Sequence, residues 1–194
     1  MSAVSFSSFA GWLSLSVFAA LLGCTARLEA GDGVIPLKIS GGHEFDRQKD
    51  FGRPVVLIAA ALGVKPDVFR EAFSGVTPSR GGPPSREEAQ RNKAALLKVL
   101  APHGITNERL DEVSNYYRFR PQDGELWTHE EAAAQATVVG GKVTKITIIR
   151  PGAGYTTPPT VVIPGHEQTK LVVKLHFDRD LKKNGSIASI EIAR

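Results

Sequence analysis

The spacing of apolar residues changes along the chain, and the change separates two kinds of secondary structure. Between residues 53 and 120 the apolar positions recur three or four apart, which is the period of an amphipathic helix. Between residues 132 and 194 they recur mainly at every second position, in runs separated by glycine and proline. These patterns predict an α+β fold, in which a small helical domain (53–120) precedes a twisted antiparallel β module (132–194).

Local signals predict where the helices begin and end. Pro54 stands before the first apolar run and Gly63 directly after it, which is typical of a helix, although the valines that lead the run would also suit a buried strand. Ser85 and Glu88 have the spacing of a capping box, and Thr106 can cap another helix. We therefore expect a helix after Pro54, another after Ser85 and a third after Thr106.

Two segments of the β module depend on local chemistry. Residues 132–139 alternate as a strand does, but Thr128 and Glu131 could also cap a short helix there. Asn184-Gly185 is the strongest hairpin signal in the chain, because both central residues of that tight turn need positive φ. We expect a strand or a short helix in the first segment and a two-residue turn in the second.

An internal repeat carries a resemblance to known proteins. Residues 141–150 align with residues 185–194 at an offset of 44, and both copies break the two-residue period after their glycine, which predicts a β-bulge or a bend in each. The pattern Gly-x-Val-Thr-x-Ile-x-Ile at 141–148, followed by Pro-Gly-Ala-Gly-Tyr-Thr-x-Pro-Pro-Thr-Val-Val-Ile at 151–163, resembles a β repeat of bacterial surface and phage structural proteins. This resemblance implies a structural or adhesive role and names no ligand.

A second resemblance covers most of the chain after residue 24. Three blocks are similar to a family of uncharacterised secreted proteins from environmental bacteria. The blocks are Gly-Arg-Pro-Val-Val-Leu-Ile at 52–58, Val-Phe-Arg-Glu-Ala-Phe-Ser-Gly at 68–75 and Ser-Asn-Tyr-Tyr-Arg-Phe-Arg-Pro at 114–121. The resemblance implies secretion but no activity.

The first residues have the pattern of an export signal. Residues 1–26 carry no charged side chain, and residues 9–22 form an apolar stretch of the length found in signal peptides. Leu-Leu-Gly-Cys at 21–24 resembles the lipobox of bacterial lipoproteins, which implies cleavage after residue 23 and a lipid on Cys24. The alternatives are a cleaved signal with an incidental cysteine, or an uncleaved anchor or misassigned start. We expect a signal peptide (1–23) and a lipid-anchored flexible tether (24–52), with the body in the cell envelope, facing the periplasm or the cell exterior.

Composition and charge narrow the classes of protein and partner. With 42% hydrophobic residues the chain is not a disordered one, and its single cysteine excludes an intrachain disulfide framework. Residues 141–194 hold nine basic and four acidic residues, so the β module could favour anionic partners such as polysaccharide or lipid headgroups. We expect no nucleic-acid partner, because no binding module with a basic stripe is present.

Possible ligating or acid–base side chains are concentrated in one glycine-rich segment. His43, Glu44 and Asp46 form the densest such cluster, but a site needs further groups from elsewhere in the chain. His129 and His166 are each followed by glutamate without a second histidine four positions on, so we expect both at the surface. A hydrolase would require His43 to lie beside a second histidine or a carboxylate; otherwise the segment is a solvated loop.

A set of aromatic and basic side chains is the candidate ligand surface, because such side chains can stack on sugars or peptide rings. Its members are Tyr116, Arg118, Phe119 and Trp127. The alternative is that these residues pack between the helices and the sheet. No catalytic nucleophile or cofactor motif is present, so we expect no cofactor. The sequence therefore favours a non-enzymatic structural or binding module of the envelope, which contacts the membrane through its lipid and could contact envelope polysaccharide or protein; a carbohydrate-binding protein or a hydrolase is the alternative.

Replacing the lipobox cysteine tests this assignment. We expect cells fed labelled palmitate to incorporate the label into the parent protein but not into a Cys24→Ser variant, because the thiol is the attachment point and two or more acyl chains anchor stably. Mass spectrometry of the mature N-terminus checks the modification. A Cys24→Ser variant that still fractionates with membranes, beside an unlabelled parent, would contradict the assignment.

Overall fold

The computed structural model describes residues 32–77, 82 and 84–193. The helices are α1 (Arg47–Asp50), α2 (Val55–Leu62), α3 (Pro66–Ser74), α4 (Arg86–Leu100) and α5 (Asn107–Tyr116). The strands are β1 (Gly33–Pro36), β2 (Lys38–Ser40), β3 (Ala133–Val139), β4 (Lys142–Arg150), β5 (Thr160–Val162), β6 (Leu171–His176) and β7 (Ser186–Ile192). The fold is α+β, as predicted. The expected signal peptide and Cys24 lie outside the described residues.

The helix ends follow the local signals in the sequence. Gly63 ends α2 in the left-handed conformation with φ of 76°, which confirms a helix there rather than a buried strand. At the start of α4 the Ser85 hydroxyl accepts from the Glu88 N–H at 3.2 Å, and the Glu88 carboxylate accepts from the Ser85 N–H at 2.8 Å. The Thr106 hydroxyl caps α5. None of the helices in the described ranges has the length and apolar character of a membrane span.

Three small antiparallel sheets make up the β part. Their strand orders are β1-β3-β4, β2-β5 and β6-β7. Residues 133–139 form a strand, so the helical alternative for this segment is wrong. The flexible tether predicted for 24–52 is also wrong over its described part, because β1 pairs with β3 and β2 pairs with β5. Backbone hydrogen bonds to partners about a hundred residues later in the chain hold this segment in the fold.

The β-bulges predicted from the repeat are present at matching positions. In β4, Thr144 has no direct partner, because Thr137 pairs with Lys145 and the next residue along β3 pairs with Val143. In β7, Ala188 is likewise skipped by β6. Position 144 aligns with 188 in the repeat, so the extra residue falls at the same point of both strands and restores the inward set of side chains.

A buried tyrosine is the centre of the β core. Tyr155 has no exposed surface, and its ring lies against the backbone of two glycines. A Cβ on Gly42 would lie 2.7 Å from the ring carbon Cδ1, and a Cβ on Gly152 would lie 2.9 Å from Cε2. Both glycines also have positive φ, so no other residue fits there without strain. In the Gly-x-Gly-Tyr pattern, Gly152 therefore makes room for this ring, whereas Gly154 makes room for His129.

The turn predicted at Asn184-Gly185 does not form. A longer loop, residues 177–185, joins β6 to β7, and Asn184 lacks the positive φ that the two-residue turn requires. Asn184 is instead fully buried, with its side-chain amide donating to the Leu57 carbonyl at 2.8 Å and to the Tyr117 hydroxyl at 2.9 Å. Because Leu57 and Tyr117 belong to the helical part, this asparagine connects the β part to the helices.

Removing the side chain of Asn184 should destabilise the whole fold. We expect Asn184→Ala to lower the free energy of unfolding by about 3 kcal/mol, because it leaves the buried Tyr117 hydroxyl and Leu57 carbonyl without this donor. Urea denaturation of the full chain measures the change. The control is Asn115→Ala, an exposed amide that we expect to change stability by less than about 0.5 kcal/mol. Equal effects of the two variants would contradict the role of Asn184.

Candidate functional site

The predicted ligand surface does not form as one face. Trp127 is fully buried and donates from Nε1 to the Gly154 carbonyl at 2.8 Å, so its inclusion in an exposed surface is wrong. Tyr116 is half-buried and packs edge-on against Tyr117 at 5.0 Å between ring centroids. Trp127 therefore packs between the helices and the sheet, which is the alternative that the sequence left open.

Arg118 and Phe119 instead border a cavity of about 330 Å³ in the helical part. The walls come from the segment between α1 and α2 and from helices α2 to α5. Besides Arg118 and Phe119, the principal lining residues are Phe51, Arg53, Phe69 and Phe73. The cavity thus combines aromatic walls with two arginines, a combination that suits a ligand with an apolar face and an anionic group.

Arg53 is the most unusual side chain of this cavity. Its guanidinium carbon lies 3.9 Å from the centroid of the Phe73 ring, and it donates to the Phe51 carbonyl at 3.2 Å. Burial lowers the pKa of Arg53 from its ordinary value. Among the described residues, no carboxylate forms an ion pair with it. Desolvating an arginine without a counter-charge costs free energy, which an anion in the cavity would offset.

Phe51 marks the mouth of the cavity. It is the one described non-glycine residue with positive φ, at 50°, and its side chain is 68% exposed. Both features are unfavourable for an aromatic residue, and such strain is often found at binding sites. Phe51 and Arg53 lie at the predicted boundary between the tether (24–52) and the helical domain (53–120). No periodicity there identifies them, because the cavity forms only where this segment meets helices α2 to α5 in the fold.

His43, Glu44 and Asp46 do not form one site in the structure. Asp46 caps α1 by accepting from the N–H groups of Gln48 and Lys49, and these backbone hydrogen bonds lower the pKa of its carboxyl group. Glu44 accepts from the Thr157 hydroxyl, which lowers the pKa of Glu44. Both carboxylates therefore serve the fold.

The ring of His43 contacts two residues from the β part. Its ring stacks on Tyr155 at 4.9 Å between centroids and lies 4.7 Å from the ring of His129. One ligand atom each of His43, His129 and Glu131 lie within 4.8 Å of one another. Burial, and then the neighbouring His129, lower the pKa of His43. His43 is thus beside a second histidine and a carboxylate, the arrangement that the hydrolase interpretation requires.

The segment before β3 places the second histidine and the carboxylate. His129 is held through Nδ1, which lies 2.8 Å from the Trp127 carbonyl oxygen. Glu131 accepts from the Tyr155 hydroxyl at 3.2 Å, and the same hydroxyl accepts from the Ala132 N–H at 2.9 Å. The prediction that His129 lies at the surface is wrong, because its side chain is 30% exposed and directed toward His43. Tyr155 therefore contacts both His43 and Glu131.

His166, the other histidine expected at the surface, is also buried. It is 6% exposed, and its Nε2 has no hydrogen-bond partner among the described residues. It belongs to no group of converging ligand atoms in the part of the chain that the structure describes. The prediction of a surface position for His166 is wrong as well, since the residue lies almost fully buried in the turns that follow β5.

No protein-family model, curated protein or solved structure matches this chain. The cavity and the histidine cluster are therefore interpreted from their own chemistry.

Proposed function

We propose that this chain is an exported protein of the cell envelope, anchored by a lipid on Cys24, whose folded body binds an acidic sugar of an envelope polysaccharide in the cavity beside Arg53. This role is binding, at a cavity whose lining does not include His43, His129 or Glu131. The apolar leader and the Leu-Leu-Gly-Cys sequence at 21–24 support export and lipid anchoring. The observation that carries the binding role is the half-buried guanidinium of Arg53, which has no carboxylate partner among the described residues.

An acidic sugar fits both the aromatic walls and the arginines of the cavity. Aromatic walls such as Phe51 and Phe119 can stack on the apolar C–H face of a pyranose ring. A guanidinium presents paired N–H donors that match a carboxylate, and such charge-assisted hydrogen bonds are stronger than neutral ones. Arg118, exposed at the rim, provides a second positive charge for the next acidic residue of a chain.

The open form of the site favours part of a polymer over a small enclosed cofactor. The cavity opens to solvent beside Phe51, whose side chain is 68% exposed. A sugar at the end or along the side of a polysaccharide could enter there while the rest of the polymer stays outside. The net positive charge of the β module would attract the same polymer at longer range.

A titration with a defined acidic oligosaccharide tests the binding role. We expect the full chain in detergent to bind a galacturonic acid trisaccharide, and to bind its methyl ester at least about tenfold more weakly, because the ester removes the charge that Arg53 faces. We expect Arg53→Gln and Arg118→Gln each to weaken binding of the acid by about tenfold or more. Calorimetric titration measures both effects.

A matched substitution separates a specific site from general charge attraction. Arg86 is an exposed arginine at the start of α4, outside the cavity, and Arg86→Gln removes the same net charge. We expect this variant to bind the acid as the parent does. Equal affinity for acid and ester, or equal weakening by all three arginine variants, would overturn the proposal.

A further inference from the structure

We propose that His43, His129 and Glu131 together bind one divalent transition-metal ion, of which Zn²⁺ is the representative. This site is separate from the cavity beside Arg53 and does not depend on sugar binding. It rests on the convergence of two imidazoles and one carboxylate from two distant parts of the chain, with one ligand atom of each within 4.8 Å of the others.

The donor set selects the class of ion. Imidazole nitrogens favour zinc, copper, nickel and cobalt, whereas calcium and magnesium favour sites made of oxygen atoms alone. Two histidines with one carboxylate are a donor set used in zinc sites that keep a fourth position open. Neighbouring ligand atoms on a tetrahedral zinc lie about 3.3 Å apart, as follows from zinc–ligand bonds of about 2 Å. The Glu131 Oε1 already lies 3.7 Å from the His129 Nε2, close to that separation.

The hydrogen bond of His129 to the Trp127 carbonyl leaves its other ring nitrogen facing Glu131. The Trp127 carbonyl can only accept, so the Nδ1 of His129 carries the proton in this contact. The other ring nitrogen, Nε2, lies 3.7 Å from a Glu131 carboxylate oxygen, too far for a hydrogen bond. A metal ion between this nitrogen and this oxygen would be bound by both.

The nitrogen of His43 is also without a partner. Its Nε2 is buried and makes no hydrogen bond within the described part of the chain. Buried polar atoms are nearly always satisfied, so an orphan imidazole nitrogen beside another imidazole and a carboxylate points to a missing ligand. The ring is held in place by its stacking on Tyr155 and by the edge of Trp127 at 6.0 Å between centroids.

Groups around the three ligands have the arrangement found at metal sites. Metal-bound histidines usually donate their second ring N–H to a carbonyl or carboxylate, as His129 does to Trp127. The ligating carboxylate is usually hydrogen-bonded as well, as Glu131 is by the Tyr155 hydroxyl. Three protein ligands would leave one coordination position for water or for a small ligand.

A direct metal titration tests this proposal. We expect the full chain, purified in detergent and stripped with a chelator, to bind Zn²⁺ with a stoichiometry of one and to bind Mg²⁺ at least about a hundredfold more weakly, because Mg²⁺ favours oxygen ligands. Glu131 is exposed, and Glu131→Gln keeps a side-chain oxygen that can accept from the Tyr155 hydroxyl, so we expect this variant to fold as the parent does. We expect it to weaken Zn²⁺ binding by at least about tenfold.

Two further variants distinguish metal binding from a structural effect. His43→Phe keeps an aromatic ring stacked on Tyr155 but removes both nitrogens, and we expect it to weaken Zn²⁺ binding at least as much as Glu131→Gln does. His176→Ala removes an exposed histidine that is paired with Asp178, and we expect it to leave the stoichiometry at one. Circular dichroism of each variant checks the fold.

Two results of these Zn²⁺ titrations would overturn the proposal. If His43→Phe and Glu131→Gln bind Zn²⁺ as the parent does while His176→Ala loses it, the ion binds at the surface pair. If the parent takes up no Zn²⁺, the three side chains do not form a metal site. Arg53→Gln should bind Zn²⁺ normally, so a failure of the sugar-binding proposal would leave this result unchanged.

Discussion

The packing of one tyrosine ring against glycine backbone determines the arrangement of the β part. Tyr155 is fully buried, and Gly42 and Gly152 approach its ring more closely than any residue with a side chain could. The Gly42 carbonyl accepts from the N–H groups of Thr156 and Thr157, so the segment before α1 is tied to the chain beyond the ring. Because the hydroxyl of Tyr155 also holds Glu131, and its ring supports His43, the same packing brings the histidine cluster together.

Both candidate sites depend on the segment that joins β2 to α2. Its first part supplies His43 to the cluster, and its last part supplies Phe51 and Arg53 to the cavity. Between them Asp46 caps α1, and Asp50 forms a partly buried ion pair with Arg70 of α3 at 2.8 Å. A short helix held at both ends therefore fixes two sites that face different parts of the molecule.

Local patterns in the sequence were sufficient for some elements and not for others. The glycine after α2, the capping box at Ser85 and the matching bulges at Thr144 and Ala188 depend on neighbouring residues, so spacing alone predicted them. Strand β1 is four residues long, and its partner lies about a hundred residues later, so no local period could predict the pairing. The histidine cluster was missed for the same reason. Asn184-Gly185 shows the reverse error, in which a strong turn signal was overridden because the buried amide satisfies groups of the helices.

The pairing of β1 has a mechanical consequence. This strand lies at the edge of its sheet, and its four residues are bonded side by side to β3. Tension that reaches the body from its N-terminal side, directed along β1, loads these hydrogen bonds in shear, so that they must break together rather than one after another. The edge strand would thus act as a clamp between the body and whatever holds the chain before it, and the load would pass into β3 before it reached the tyrosine core.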